Sequence, residues 1–207
     1  MSKFCIQMQI IFFIKSSTVK IDNFNIKDIP GSSGRLDVIS RCILAALFDS
    51  DRLERDIQIW IFLDKYGTYI FESNALSKDF FPISELNLSE NFVELILKTT
   101  EQNSAQSNPL KPVVFSKLDL FSALNKFEES KYKIILLDEE GDNYQDIFSE
   151  LNKDEKLLFI IGDQTGKIVN AEQFKNFNLI NMSLGHQSYL ASTVIRLIKL
   201  NLNLMIS

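Results

Sequence analysis

The chain has 207 residues, which fits one large domain or two small ones, and its 45% hydrophobic content with 17 phenylalanines is ample for a buried core. Its 22 lysines and arginines are outnumbered by 27 aspartates and glutamates, and the net charge of −5 argues against a broad basic surface for nucleic acid. One histidine and two well-separated cysteines, Cys5 and Cys42, argue against a zinc site and a disulfide framework. We therefore expect a cytoplasmic protein without a metal.

The first third of the chain alternates strand and helix patterns. Residues 4–14 form an apolar run that contains Gln7 and Gln9; it predicts a buried strand and is too short to span a bilayer. Apolar residues then recur at helical spacing over 36–47, and Gly34 with the serines before it are candidates for the N-cap of that helix. Residues 57–63 predict a strand, and 68–71 predict its hairpin partner.

The middle of the chain predicts two helices and a short apolar segment, and the chain ends in a third helix. The two middle helices are expected over 89–100 and 116–126, with the apolar residues 113–115 before the second. Between them, the polar residues 101–111 predict an exposed loop or hinge. The last helix, 189–205, is expected to carry a polar face. That face comprises Arg196, Lys199, Asn201 and Asn203.

Three apolar runs in the last third each end in a small or acidic turn. The runs are 133–137, 157–161 and 179–183, and the turns that follow them are 138–141, 162–166 and 184–188. The helix-like segments between them, 143–151 and 170–177, indicate parallel strands joined by crossovers. This pattern predicts an α/β fold with an essentially parallel sheet and a hairpin addition. Because ligands bind beyond the carboxyl ends of such strands, we expect a small-molecule site at the three turns.

The chemistry of these turns is open from pattern alone. The turn from Gly162 to Gly166 is neither a phosphate loop nor a dinucleotide fingerprint, so it is either an ordinary tight turn or part of a backbone-lined nucleotide pocket. His186 lacks a serine or cysteine nucleophile elbow, so we do not assign it a catalytic role. Arg35 and Asp37 begin a helix and could face one ligand, although the helix dipole by itself favours an aspartate there.

Two segments near the N-terminus resemble a known family. Residues 34–47 (GRLDVISRCILAAL) and 55–60 (RDIQIW) resemble the archaeal tRNA pseudouridine N1-methyltransferases, which are SPOUT-class enzymes. Further segments follow in the order that this family has. They are Leu137–Gly141, Phe159–Asp163, Ser183–Gly185 and Ser188–Leu190. The resemblance therefore extends over most of the chain, from Phe4 to the final helix.

The resemblance implies a fold, a cofactor and a substrate. The fold is one SPOUT methyltransferase domain over 1–207, a parallel sheet flanked by helices, in which about 113–207 forms a C-terminal trefoil knot. The cofactor is S-adenosylmethionine, bound between the three turns, and the substrate is a pseudouridine at position 54 of the tRNA T-loop, modified by a homodimer. The implied cofactor-binding residues are Leu137, Gly162, Asp163, Gly166, Ser183, Leu184, Gly185, Tyr189 and Leu190.

Arg35 and Asp37 also resemble the Arg-Pro-Asp element of the related ribosomal-RNA pseudouridine N1-methyltransferases, which lies at the target base. By that match Arg35 holds a base carbonyl or a phosphate, and Asp37 accepts the hydrogen bond from N1–H. Methyl transfer needs a lone pair on N1, so a carboxylate that takes or holds this proton suits the reaction. Placing the two reactants in line contributes as well, and the target base must leave its stack.

The sequence departs from the family pattern in two respects. Thr193 and Val194 stand where archaeal members often carry His-Cys, so this chain has no role for that cysteine. The negative net charge conflicts with a polyanionic substrate unless basic residues cluster locally. The candidates for such a face are Lys15, Arg35, Arg41, Arg52 and Arg55. The alternatives are a SPOUT enzyme acting on another RNA, such as ribosomal RNA, and a non-catalytic RNA- or nucleotide-binding module; an NAD-type protein is disfavoured because GxGxxG is missing.

Overall fold

The computed structural model describes residues 8–78, 81–101, 108–162 and 172–206, and these form an α/β fold. The strands are β1 (Gln9–Ser16), β2 (Phe48–Asp49), β3 (Arg52–Leu53), β4 (Ile57–Leu63), β5 (Gly67–Glu72), β6 (Val114–Ser116), β7 (Lys133–Asn143), β8 (Lys156–Ile161) and β9 (Leu179–Ser183). The helices are α1 (Ile29–Ser32), α2 (Leu36–Leu47), α3 (Glu85–Glu101), α4 (Leu120–Glu129), α5 (Tyr144–Ser149) and α6 (Ala191–Ile206). Short 3₁₀ helices lie at Ile26–Asp28, Ser73–Ala75 and Glu172–Asn176.

Seven strands form one mostly parallel sheet in the order β6-β5-β4-β1-β8-β7-β9. The five strands from β4 to β9 in this order pair in parallel, whereas β5 and β6 add to the β4 side as antiparallel strands. The predicted parallel sheet with a hairpin addition is therefore confirmed. The two-residue strands β2 and β3 pair only with each other in the described structure.

Strand β1 lies at the middle of the sheet and is buried on both faces, which explains the continuous apolar sequence of its residues 10–14. On one face Phe12 stacks on Phe159 with ring centroids 5.7 Å apart, in the core covered by α2, α3 and α6. On the other face Phe13 contacts Trp60 and Phe127, in the smaller core covered by α4. Helices on both faces thus sandwich the sheet.

Several element ends differ from the sequence predictions. Helix α3 begins at residue 85 rather than 89, and α4 begins at residue 120 rather than 116 because the Asp119 carboxylate accepts a hydrogen bond from the Ser122 amide at 2.8 Å. The helix expected over 170–177 is a 3₁₀ helix over 172–176, and 170–171 lie outside the described residues. The first four residues of the predicted strand over 4–14 and most of the predicted loop over 101–111 also lie outside them.

Lys199 does not belong to the polar face predicted for the last helix, because it is only 6% exposed. Its ammonium donates to the carbonyls of Ala45, Ala46 and Phe48 at 2.8, 3.0 and 2.9 Å, and it pairs with Glu54 at 2.5 Å. Burial lowers the pKa of Lys199, while Glu54 opposes that change. A cation at the carboxyl end of α2 satisfies its free carbonyls and complements its dipole, so Lys199 fastens α6 to α2.

We expect Lys199→Met to lower the free energy of unfolding by about 3 kcal/mol, because it leaves buried carbonyls and the Glu54 carboxylate without their cation. Urea denaturation followed by circular dichroism measures this change. The control is Arg196→Met, an exposed cation on the same helix, for which a change below about 0.5 kcal/mol is expected. Equal effects of the two substitutions contradict the role assigned to Lys199.

Candidate functional site

A cavity of about 960 Å³ opens at the carboxyl ends of β1, β7, β8 and β9. Its wall includes the ends of β1 and β8, the bulge in β7, the turn after β9 and the start of α6. Of the cofactor-binding residues implied by the resemblance, those in the wall are Leu137, Gly162, Leu184, Gly185, Tyr189 and Leu190. The segment after Leu137, Gly162 and the turn after β9 therefore meet at the predicted edge of the sheet. Asp163 and Gly166 lie outside the described residues.

Ser183 is buried at the end of β9 and is not among the described residues that line the cavity. Its hydroxyl accepts a hydrogen bond from the Gly185 amide at 3.1 Å, so it shapes the turn rather than the cavity surface. Gly185 has a φ of +113°, and a Cβ added there would meet nothing within 4 Å. The turn thus presents bare backbone to an open part of the cavity, which suits contact with a ligand.

The segment after Leu137 is a bulge within β7, whereas the sequence predicted a turn that ends the strand. Leu137 and Asp142 both pair with Met182, so residues 138–141 loop out of the ladder between them. A Cβ on Gly141 would lie 2.6 Å from the Met182 amide nitrogen, which explains the glycine. The bulge places Asp138, Glu139 and Glu140 in the cavity wall. None of these three residues was predicted to line the site, although an acidic run after a buried strand is a visible signal in the sequence.

The entry to α2 holds its backbone in an unusual conformation. Gly34 and Arg35 have φ of +58° and +73°, and a Cβ on Gly34 would lie 1.9 Å from the Thr18 carbonyl oxygen. The predicted capping serine is Ser33, whose hydroxyl accepts from the Leu36 amide at 3.1 Å, although the N-cap position itself is Arg35. A non-glycine residue with positive φ costs free energy and is concentrated at functional sites. The turn places Arg35 in the cavity wall.

Asp37 is buried one residue into α2, with 4% of its side chain exposed. Its Oδ1 accepts from Arg35 Nε at 3.0 Å, and its Oδ2 accepts from Arg35 Nη2 at 3.2 Å and Arg41 Nη2 at 2.6 Å. Burial by itself raises the pKa of Asp37, but Arg35 and Arg41 together outweigh it and lower that pKa below the usual value. Asp37 is ionised at neutral pH, and among the described residues it is Arg35, not Asp37, that lines the cavity.

The expected basic face is only partly formed. Lys15 lines the cavity near Arg35 and pairs with Asp64 at 3.3 Å. Helix α2 starts at the cavity and runs about 18 Å away from it along the sheet. Arg52 and Arg55 come after the carboxyl end of this helix. The carbonyl of Asp56 accepts from the Ile10 amide at the start of β1, so this segment lies at the opposite edge of the sheet. Including Arg52 and Arg55 in one basic face with Arg35 was therefore wrong.

Two other residues singled out in the sequence lie near the turn after β9. His186 is exposed and is not among the described residues in the cavity wall, and it was given no catalytic role. Val194, at the position where archaeal members often carry cysteine, does line the cavity and contributes an apolar surface to it. The first turns of α6 therefore supply packing rather than a thiol.

The described parts of the chain contain no group of three or more histidine, cysteine, aspartate or glutamate residues arranged to hold a metal ion. In the same ranges, no helix combines the length and the hydropathy needed to cross a bilayer.

The comparisons with known proteins agree with this geometry. The family model described as "Putative SAM-dependent RNA methyltransferase" matches residues 8–205. The chain belongs to this methyltransferase family. The chain is 29% identical to the tRNA (pseudouridine(54)-N(1))-methyltransferase of Methanococcoides burtonii over 186 residues, covering 86% of this chain and 87% of the relative. It is 30% identical to the enzyme of the same name from Methanococcus maripaludis over 173 residues, covering 79% and 82%.

The fold of this methyltransferase matches a solved structure. The crystal structure of Archaeoglobus fulgidus Nep1 bound to S-adenosylhomocysteine aligns with a TM-score of 0.62, covering 96% of this chain and 99% of that one. The sequence identity is 14%, so the match shows a Nep1-like SPOUT fold and nothing finer.

We expect Asp37→Asn to lower the free energy of unfolding by about 1–3 kcal/mol at neutral pH, because the amide replaces a carboxylate held by two guanidinium groups. The folded-state pKa of Asp37 is lowered, so its contribution is fully present above the unfolded-state pKa of about 3.9 and is lost as pH falls further, through the lowered folded-state pKa. Denaturation of both proteins between about pH 3 and 7 checks this. A stability difference that is unchanged below about pH 4 contradicts it.

Proposed function

We propose that the chain is an S-adenosylmethionine-dependent methyltransferase that methylates N1 of pseudouridine 54 in tRNA. Its family membership and the names of its relatives support this activity. The observation that carries the proposal is the cavity itself. The bulge in β7, the segments that follow β8 and β9, and Arg35 line one space, which suits a cofactor and an acceptor base side by side.

The proposed cofactor site consists of the bulge in β7 and the segments that follow β8 and β9. Leu137, Gly162 and Leu184 line the cavity, and Gly185 exposes its backbone to an open part of it. The site continues into Tyr189 and Leu190, is shaped by Ser183, and includes Asp163 and Gly166 as predicted from the sequence. A cavity of about 960 Å³ is at the upper end of the usual range for small-molecule sites. When bound there, S-adenosylmethionine supplies an electrophilic methyl group.

The charges of the cavity wall fit the two proposed reactants. Lys15 and Arg35 lie on the β1–α2 side, and the acidic residues 138–140 lie on the β7 side. A sulfonium carries a positive charge, whereas the tRNA backbone is an anion. We therefore assign the acidic side to the cofactor and the basic side to the RNA.

In the proposed mechanism Arg35 contacts the target base, and the ionised Asp37 holds the Arg35 guanidinium in place. Both oxygens of Asp37 already accept hydrogen bonds from arginines, and a lowered pKa makes it a weak base. These contacts favour a positioning role for Asp37, and acceptance of the N1 proton by Asp37 stays a prediction. Holding the base and the methyl donor in line is then the main contribution of the site.

The activity test uses tRNA transcripts that carry pseudouridine at position 54. The wild-type chain is expected to methylate this transcript and not a matched transcript with uridine there, because uridine has a glycosidic bond at N1. Asp37→Asn and Arg35→Lys are expected to lower kcat/KM by about 100-fold or more, since each breaks the bidentate pair. Mass spectrometry of the digested RNA measures the product.

Calorimetric titration with S-adenosylhomocysteine is the matching control, with an adenine dinucleotide as the comparison ligand. We expect both variants to retain the affinity of the wild-type chain, because neither residue is in the proposed cofactor site. Binding without turnover on either transcript would indicate the non-catalytic binding module, and turnover on ribosomal RNA fragments alone would indicate a different RNA substrate. Failure to bind the homocysteine compound contradicts the cofactor assignment.

A homodimer is the proposed assembly, and an apolar stripe on α6 supports it. Leu197, Leu200 and Leu204 recur at helical spacing on one face, and Leu200 and Leu204 are 55% and 67% exposed. A contiguous exposed apolar face of this kind is typical of an interface between subunits.

We expect the double substitution Leu200→Lys with Leu204→Lys to convert a dimer into a monomer, because burying two ammonium groups in the interface is costly. Sedimentation velocity measures the change in mass. The control is Leu86→Lys, on the first turn of α3, where the side chain is 48% exposed. A monomeric wild-type chain, or a double variant that stays dimeric, contradicts this proposal.

We also propose one domain over 1–207 with a trefoil knot in about 113–207. Strand β1 pairs with β4 from the first half and β8 from the second, which supports a single domain. Family membership supports the knot. An experimental structure in which the chain does not thread through a loop within residues 113–207 contradicts the knot. With tRNA as the substrate, we place the protein in the cytoplasm.

A further inference from the structure

Arg41 lies one helical turn after Asp37 on α2 and connects two helices. Its Nη2 lies 2.6 Å from Asp37 Oδ2, and its Nε lies 3.4 Å from Glu85 Oε2 at the start of α3. Arg41 is not among the described residues that line the cavity. It therefore touches the site only through Asp37.

We propose that Arg41, backed by Glu85, is a positioning residue for methyl transfer that keeps Asp37 ionised and fixed while Asp37 orients Arg35 toward the substrate. The inference rests on the proposed function, because it assigns Arg41 a part in that reaction. It adds a second arginine and a carboxylate on another helix to the pair that the sequence singled out.

The reason is that the buried Asp37 carboxylate must stay ionised and fixed for Arg35 to be oriented. Arg35 uses Nε and Nη2 on Asp37, and its Nη1 still carries two N–H donors for a base carbonyl or a phosphate while that pair stays intact. Asp37 is 2% exposed, and a buried carboxylate without hydrogen bonds is strongly disfavoured. Arg41 donates a further hydrogen bond to Oδ2 at 2.6 Å, from the side of Asp37 that faces α3 through Glu85. The carboxylate therefore stays ionised and paired.

Glu85 completes the charge balance and fixes the position of Arg41. Arg35 and Arg41 carry two positive charges and Asp37 carries one negative charge, so one positive charge is left over. The carboxylate of Glu85 neutralises it. The hydroxyls of Ser40 and Ser89 lie 2.7 Å apart in the buried contact between the same two helices. Within the described ranges, the charged groups that contact Asp37, directly or through Arg41, are Arg35 and Arg41 on the α2 side and Glu85 on α3.

The test compares Arg41→Met, Arg41→Lys and Glu85→Gln with the control Arg52→Met, an exposed arginine at the opposite edge of the sheet. Arg41→Met is expected to lower kcat on the pseudouridine-54 transcript about tenfold, with the affinity for S-adenosylhomocysteine within about twofold of wild type. Arg41→Lys restores part of the rate because it keeps a cation beside Asp37. Glu85→Gln has a smaller effect, and the control has none on kcat.

The pH profile separates positioning from a merely structural role. Removing a neighbouring cation raises the pKa of Asp37, so in Arg41→Met this carboxylate becomes protonated at a higher pH. Activity is then lost at a higher pH as the solution is acidified, and we expect the acid limb of the rate to move up by about one pH unit. In Arg41→Lys the limb lies between those of the wild type and Arg41→Met.

The same shift is measurable without RNA, by carbon NMR titration of the Asp37 carboxyl in the wild-type chain and in Arg41→Met. An unchanged titration overturns the inference. A rate that falls equally at all pH values, together with a lower melting temperature and weaker S-adenosylhomocysteine binding, also overturns it. If the wild-type chain methylates the transcript and Arg41→Met does so normally, this inference fails alone. If the wild-type chain is inactive, the proposed function fails first.

Discussion

The position of β1 between β4 and β8 is the constraint on which the rest of the structure depends. Because these strands run in parallel, their carboxyl ends meet at one edge, and the turns that follow are brought together there. The crossover from β1 to β4 contains α2, so the start of α2 lies at the same edge and its end lies at the other. This one arrangement places Arg35 in the cavity and removes Arg52 and Arg55 from it.

Electrostatics completes what the topology begins. Asp37 is buried, and it stays ionised because two arginines lower its pKa by more than burial raises it. The same carboxylate orients the guanidinium of Arg35, whose backbone has a positive φ that is costly for a non-glycine residue. At the other end of α2, Lys199 satisfies three carbonyls. Charged side chains therefore fix both ends of the helix that forms one wall of the cavity.

The strands β1, β4, β8 and β9 could be predicted from the sequence because each is a predominantly apolar run bounded by polar or small residues. The bulge in β7 could not be predicted from the sequence. An acidic run ending in Gly141 is equally compatible with a turn that ends the strand and with a loop after which the strand continues. Helix starts were displaced for a related reason. Capping by Asp119 decides where α4 begins, and the apolar spacing before it is equally consistent with an earlier start.

The sequence by itself determined the α/β order of elements, the edge of the sheet at which the site lies, and the position of Arg35 and Asp37 at a helix start, because these depend on local patterns and on chain direction. Only the tertiary structure decided which charges act together. Arg41 meets Glu85 because α2 packs on α3, and Lys199 meets Ala45, 154 residues away in the chain, because α6 packs on α2. Residues so far apart in the chain form no local sequence pattern that predicts their contact, because they meet only after the core has formed.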